Sequence, residues 1–351
     1  MHGNISNSTV TLSSLENGVP SGYSYGYDQL NRLVHMRWNE FYNGEGSWDN
    51  TRIKPCYQED ISYDGNGNIQ RYFRNGTFTG HPLDMDSLTY YYNAKTNQLN
   101  YIHDNVAPNK YTTDIDSQSP ANYGYDSTGN LIRITSDGFT DIGWTVYGKI
   151  SKERGATFNG DFGYDANGRR IFKEGQAGST GGRQYYIRDA QGNILAVYDY
   201  EGTSLTWGEQ DLYGTSRIGV WRWNKAIPAQ PMLPQSETDT LSDWYQLGGR
   251  DYELTNHLGN VLSVITDKKI GVSLDDSIVD HYRAEVLSQD DYYPFGMEEP
   301  GRSFGATYGA NAYAYAFNGK RMENIELSTT NIYDYGMRMY DARVGRFFSV
   351  D

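Results

Sequence analysis

The residues of this chain with the means to do chemistry are few, and they collect at its C-terminal end. Residues 310–351 set Tyr333, Tyr335 and Tyr340 around Gly336 and Gly345, then add Arg338, an Arg346-Phe347-Phe348 run and Asp351. Carboxylate-based hydrolysis needs two carboxyl groups sharing one proton, a base for water and an acid for the leaving amine. A neighbouring arginine keeps one of them ionised by lowering its pKa. Arg338 and Asp351 are too far apart to touch along one strand, so only folding brings them together. Taken alone, Asp351 is a terminal acid, and Arg338 reads equally as a buried arginine stacked on Tyr340. Arg343 and Arg346 read as solvated or salt-bridging, His257 as a turn residue, and Asp290-Asp291 as a solvated strand edge. Six histidines without an HExxH spacing or a close pair, and the single Cys56, make no zinc set. The glycines sit in turns between strands with no helix after them, so no phosphate-binding loop is expected. The expectation is no metal and no cofactor.

The elements that must position those residues follow from composition. The chain has 351 residues, with 44 Asp and Glu against 30 Lys and Arg, a formal net charge of −14. That excludes general nucleic-acid binding, which needs a basic face to displace counterions, and docking on anionic membranes. No apolar run approaches the ~20 residues that span a bilayer. The N-terminus lacks a basic end followed by an apolar core, so no signal peptide is read there, and an export signal would lie upstream or export would take another route. With 32 Tyr and 39 Gly and no long helical periodicity, the chain reads as all-β, strands joined by tight turns.

One turn is used many times. The pattern Tyr-Asp-x-x-Gly-Asn-(Leu/Ile) occurs at Tyr63–Ile69 and Tyr125–Leu131, with a third copy at Tyr164–Arg170. Weaker copies lie at Tyr27–Leu33, Arg188–Ile194 and Thr255–Val261, and one with an extra residue begins at Tyr92. Asp opens a type I turn by accepting bonds from the backbone ahead of it. Glycine three residues later takes φ > 0 and forms the bulge that matches the strands' twist. Asp126 then faces Asn130 and Tyr125 faces Leu131, an aromatic–aliphatic pair of about 0.2–1 kcal/mol. In the first copy Asn31 takes the glycine position and Asp28 faces Arg32. Irregular spacing implies one hairpin per repeat with insertions at the far loops, at 104–120 and 175–183. The stretch 228–240, with Pro228, Pro231 and Pro234, reads as an insertion rather than a domain boundary. Mixed polarity, as in Leu131-Ile132-Arg133-Ile134, implies that both sheet faces are partly used.

The repeat resembles the tyrosine-aspartate (YD) repeat of Rhs proteins, large bacterial β-repeat proteins of polymorphic toxin systems. It is also similar to repeats in the C subunits of insecticidal toxin complexes and in teneurins. His257–Val261, Asp291–Gly296, Phe317–Lys320 and Met337–Asp351 resemble, in order, the Rhs-associated core domain. The resemblance covers nearly the whole chain. It implies β-hairpin repeats forming a spirally wound β-sheet shell, here a partial cocoon, with 1–250 as the repeat region and 251–351 as the core segment. In the family the shell encloses a C-terminal toxin domain, used in bacterial competition, and the core domain severs it by autoproteolysis of the aspartyl type. Arg338 matches the arginine of the Arg-x-Tyr-Asp motif and Asp351 the first catalytic aspartate. The second aspartate and the proline after the first have no counterpart here, so half a site is expected and no self-cleavage by these residues alone. The implied partners are a C-terminal toxin domain, a secretion-system component and an immunity protein. The implied location is secreted or cell-surface. The rival reading is an extracellular carbohydrate-binding or adhesion repeat protein without cargo.

Overall fold

The computed structural model describes residues 3–40, 53–77, 80–108, 110–156, 158–177, 180–227, 245–306, 312–323 and 331–349. The stretch 228–240 lies outside the described residues. The first sheet holds seven antiparallel strands in sequence order: β1 (Asn7–Val10), β2 (Ser21–Tyr27), β3 (Leu33–Glu40), β4 (Ile53–Tyr63), β5 (Ile69–Asn75), β6 (Asp84–Tyr92) and β7 (Leu99–Asp104). The second holds fourteen, again consecutive. These are β8 (Tyr123–Tyr125), β9 (Leu131–Ile134), β10 (Phe139–Trp144), β11 (Ile150–Gly155), β12 (Phe158–Tyr164), β13 (Arg170–Ala177) and β14 (Thr180–Arg188), followed by β15 (Ile194–Glu201), β16 (Ser204–Tyr213), β17 (Arg217–Ile227), β18 (Arg250–Thr255), β19 (Val261–Val272), β20 (His281–Tyr292) and β21 (Glu298–Gly305). A short third sheet comprises β22 (Arg321–Met322), β23 (Ile332–Asp334), β24 (Met339–Asp341) and β25 (Arg346–Phe347). The architecture is the all-β, spirally wound ribbon, and among the described residues its large sheets are not closed by backbone pairing. The second sheet continues through β17, β18 and β19 across residue 250.

The repeated turn has one geometry in its seven-residue copies, while the Tyr92 copy closes one residue later, from the Asn93 N–H to the Gln98 carbonyl. In the Tyr125 copy the Asp126 N–H donates to the Asn130 carbonyl at 2.9 Å, and the Gly129 N–H returns to the Asp126 carbonyl at 3.1 Å. The Asp126 carboxylate accepts the Thr128 and Asn130 N–H groups, both at 2.9 Å. Tyr125 faces Leu131, Tyr63 faces Ile69 and Tyr27 faces Leu33. Asn31 stands at φ 61°. Three further copies among the described residues escape the sequence pattern because other residues fill the Tyr-Asp positions. Two lie in the large sheet: Trp144–Ile150, where Thr145 replaces Asp, and Tyr292–Glu298, where Tyr293 does. The third is Tyr315–Arg321, where Ala316 replaces Asp.

The tyrosine hydroxyls join one repeat to the next. Tyr63 donates to the Leu33 carbonyl at 2.8 Å, Tyr92 to Ile69 at 2.6 Å and Tyr164 to Ile150 at 2.8 Å. Tyr213 donates to Ile194 at 3.0 Å and Tyr292 to Val261 at 3.0 Å. The indole N–H of Trp144 does the same to Leu131 at 2.8 Å. Each donor opens one turn, and each acceptor closes the turn before it, where the bulge frees that carbonyl from the ladder. Tyrosine is selected over phenylalanine because its ring fills the cross-strand pair while its hydroxyl satisfies the orphan carbonyl.

Two expectations need correction. Residues 175–177 and 180–183 are strand rather than loop, because Gly175 pairs with Gly182 and Gln176 with Gly181. A backbone ladder needs no side chains, so glycine richness does not prevent it. Asp290 and Asp291 are not a solvated edge: both are buried. They lie where the ribbon returns to its start. There Arg302 ion-pairs with Asp291 at 2.9 Å, Glu299 at 3.2 Å and Glu16 at 2.9 Å. The Tyr23 hydroxyl is within hydrogen-bond distance of Asp291, at 2.7 Å, and of Glu299, at 2.9 Å. A buried ionic seam therefore joins β20 and β21 to the first strands.

Candidate functional site

The described parts of the C-terminal segment, residues 312–323 and 331–349, pack across the apolar faces of the ribbon. Its apolar side chains belong to the shared core. Ile332, Met339, Val344 and Phe348 pack with residues of β4 to β12, and Tyr333, Tyr340 and Ala342 pack with β2 to β6 and with Tyr292, Tyr293 and Met297. Tyr313 and Tyr315 pack on Val220, Val261 and Val264. The segment thus replaces the second sheet that a sandwich would place over these apolar faces.

Polar contacts fix it at intervals. The Tyr315 hydroxyl donates to Asp211 at 2.8 Å, and Arg217 stacks on the Tyr315 ring at 3.3 Å. Arg321 pairs with Glu209 at 2.5 Å. Glu323, buried, meets Arg170 and takes Lys173 at 3.0 Å, while Arg170 also approaches Asp334 at 3.4 Å. Lys149 donates to the Gly336 carbonyl at 3.1 Å. Tyr333 and Tyr340 donate to the carbonyls of Gly296 at 2.8 Å and Phe295 at 2.9 Å. Arg343 pairs with Asp137 at 2.5 Å and Asp341 at 2.7 Å. The Leu131 N–H donates to the Phe348 carbonyl at 2.9 Å.

Electrostatics divides the buried carboxyls. Burial raises Glu323, but the Arg170 guanidinium and Lys173 ammonium outweigh it and hold the group at about 2. Glu153, facing the same cluster, is raised to about 8, first by burial and then by Glu323. Burial raises Glu59 to about 8, Glu298 to about 8 and Asp290 to about 7. Long-range pairs such as Arg170–Glu323 had no local sequence signal, since their members lie on β13 and beyond β22.

Of the two candidate site residues, Arg338 is half-buried and its guanidinium stacks on Phe347 at 3.9 Å, where stacking on Tyr340 was the sequence alternative. Asp351 lies outside the described residues. The arrangement around residues 312–349 is one of packing, capped carbonyls and buried ion pairs. Among the described residues no group of three or more His, Cys, Asp or Glu is placed to hold a metal ion. No helix among them is long and apolar enough to cross a membrane.

No family model matches the chain. Over 201 residues it is 24% identical to Salivary gland surface protein 1 of Aedes aegypti, a stretch that is 54% of this chain and 5% of that protein. Its fold matches a chain of the crystal structure of TcdB2-TccC3-Cdc42 with a TM-score of 0.52 and 14% identity, over 98% of this chain and 16% of that one. A chain of TcdB2-TccC3 also aligns, at a TM-score of 0.38 and 15% identity, over 98% of this chain and 18% of that one. The chain therefore spans a small part of each protein it resembles.

Proposed function

We propose that this chain is the closing part of an Rhs-type shell that encapsulates a C-terminal toxin domain and helps deliver it. One observation carries the reading. Phe348 is buried in the shared core against Phe139, its carbonyl accepts the Leu131 N–H, and Ser349 beside it is half-buried. A polypeptide continuing from there starts beside that core. The fold likeness to a TcdB2-TccC3 chain supports the same reading. In this account residues 1–250 form the wall of YD-type hairpins and 251–351 the core segment that plugs it. Arg338 and Asp351 contribute half of an aspartyl-type self-cleaving site. The protein is secreted or displayed at the cell surface, and a secretion-system component and an immunity protein for the toxin complete the system.

At the aromatic ladder of β13 to β16 the carbohydrate reading meets a structural argument against it. Phe172, Tyr185, Tyr198 and Trp207 face one another across these strands and form the ladder. Trp207 stacks on Tyr198 at 5.8 Å and on Trp223 at 5.1 Å, with Arg183 over Phe172 and Lys225 over Trp223. Ring faces engaged by other rings and by cations are not free to stack on sugars.

The test uses the natural reading frame extended past Asp351. Wild type and Asp351→Asn are compared by denaturing gel and intact mass. Two fragments from wild type and one from Asp351→Asn support the self-processing shell. Uncut chains in both remove the protease half of the proposal, and saturable binding on a glycan array would favour the rival.

A further inference from the structure

The hairpin of β19 and β20 projects beyond its neighbours. β18 pairs with β19 only from Val261 to Thr266, and β21 pairs with β20 only from Ser288 to Tyr292. Between those limits the two strands pair with each other alone, through Lys269–Ala284, Ile270–Arg283, Gly271–Tyr282 and Val272–His281. The arm carries apolar side chains into solvent: Leu274 is 84% exposed, Ile278 69%, Val279 50% and Tyr282 57%. Among the described residues no strand covers the outer edge of β20 from Tyr282 to Val286, so its N–H and C=O groups are open to a further strand.

The sequence of that edge is complementary to itself. An antiparallel pairing with an identical strand about a two-fold axis at Ala284 sets Arg283 opposite Glu285 of the second copy, twice by symmetry. It also sets Tyr282 opposite Val286 of the second copy. Opposite charges and aromatic–β-branched residues are the favourable cross-strand pairs. Shifting the register by one residue about the axis places Arg283 opposite Ala284 and loses both charge pairs. In the favoured register each arm's tip reaches the end of β21 in the other copy, where Phe304 is 42% exposed. The tip carries Asp275, Asp276 and Asp280 and no basic residue, which disfavours an anionic membrane as the occupant. From these features we infer that the arm is a dimerisation element, with β20 of one chain pairing with β20 of a second copy around Ala284. This surface is separate from the C-terminal segment and does not depend on the encapsulation reading.

Sedimentation velocity of the full chain over a wide concentration series tests it. Wild type is expected to pass from monomer to dimer. Arg283→Glu alone and Glu285→Arg alone each place two like-charge pairs at the axis and weaken association by at least about tenfold. An equimolar mixture of the two variants restores opposite charges in the heterodimer and is expected to dimerise. Glu285 also meets Lys268 at 3.2 Å and Thr266 at 3.1 Å within its own arm, so the mixture rather than a double variant is the decisive comparison. A second readout needs no variant: the amides of residues 282–286 exchange more slowly at high than at low wild-type concentration. A wild type that stays monomeric throughout overturns the inference. So do single variants that dimerise like wild type, or a mixture that stays monomeric.

Discussion

Glu323→Gln is the sharpest perturbation of the C-terminal segment. The wild-type carboxylate is buried and serves both Arg170 and Lys173. The amide keeps the size and hydrogen-bonding reach but removes the charge, leaving two buried cations with Asp334 and the burial-raised Glu153 nearby. Breaking a buried pair in this way costs about 3–5 kcal/mol. Linkage gives a second route to the magnitude. The folded group sits at about 2, against about 4.3 when unfolded, and about 1.4 kcal/mol per pH unit makes roughly 3 kcal/mol. A depressed carboxyl stabilises fully above its unfolded value and loses that contribution as pH falls toward the folded one. The wild-type advantage is therefore present at pH 7 and shrinks as pH drops from about 4 to 2. Urea denaturation of both proteins along a pH series measures it, with hydrogen exchange of residues 312–323 as the local readout. A difference below about 0.5 kcal/mol at pH 7, or one that does not narrow in acid, refutes the reasoning.

Tyr63→Phe and Tyr164→Phe keep the rings but leave the Leu33 and Ile150 carbonyls without their hydroxyl donors. Each is expected to cost about 0.5–1.5 kcal/mol by urea titration, and values near zero would mean that the hydroxyl ladder contributes nothing. Carboxyls raised by burial act oppositely to Glu323. Glu59, Glu153 and Glu298 at about 8 each favour folding below their unfolded value and lose that contribution as pH rises through the folded one. The melting temperature is expected to be higher at pH 5 than at pH 8.5, by on the order of 5–10 °C, and the reverse order would contradict the burial of these groups. Burial pushes the Cys56 thiol up to about 12, so a thiol reagent at pH 8 should label it only after unfolding. Rapid labelling of the native chain would place Cys56 at the surface.

Much of the wall is legible in the sequence because its information is local. Asp, Gly and the flanking Tyr and Leu of one copy fix a turn, a bulge and a cross-strand pair within seven positions, as in Tyr125–Leu131. The Trp144 and Tyr292 copies were hidden because the turn tolerates any residue that fills the pair and donates to a carbonyl. The seam was not legible: Tyr23 and Asp291 have no sequence relation, and an adjacent pair of aspartates reads as solvent-facing until Arg302 is placed beside it. The candidate site was legible only in part. Arg338 stacks on Phe347, an aromatic of the same terminal run. That contact depends on how the short strands β23 to β25 fold back, which no periodicity records.

The central claim is containment, and native proteolysis of the longest natural polypeptide that includes this chain tests it most directly. The digest is followed by intact mass, before and after denaturation. The account predicts that the segment following Asp351 survives in the native protein and is degraded once the shell is unfolded. A following segment that is digested as fast in the native protein as in the denatured one, while residues 312–349 remain protected, would contradict encapsulation.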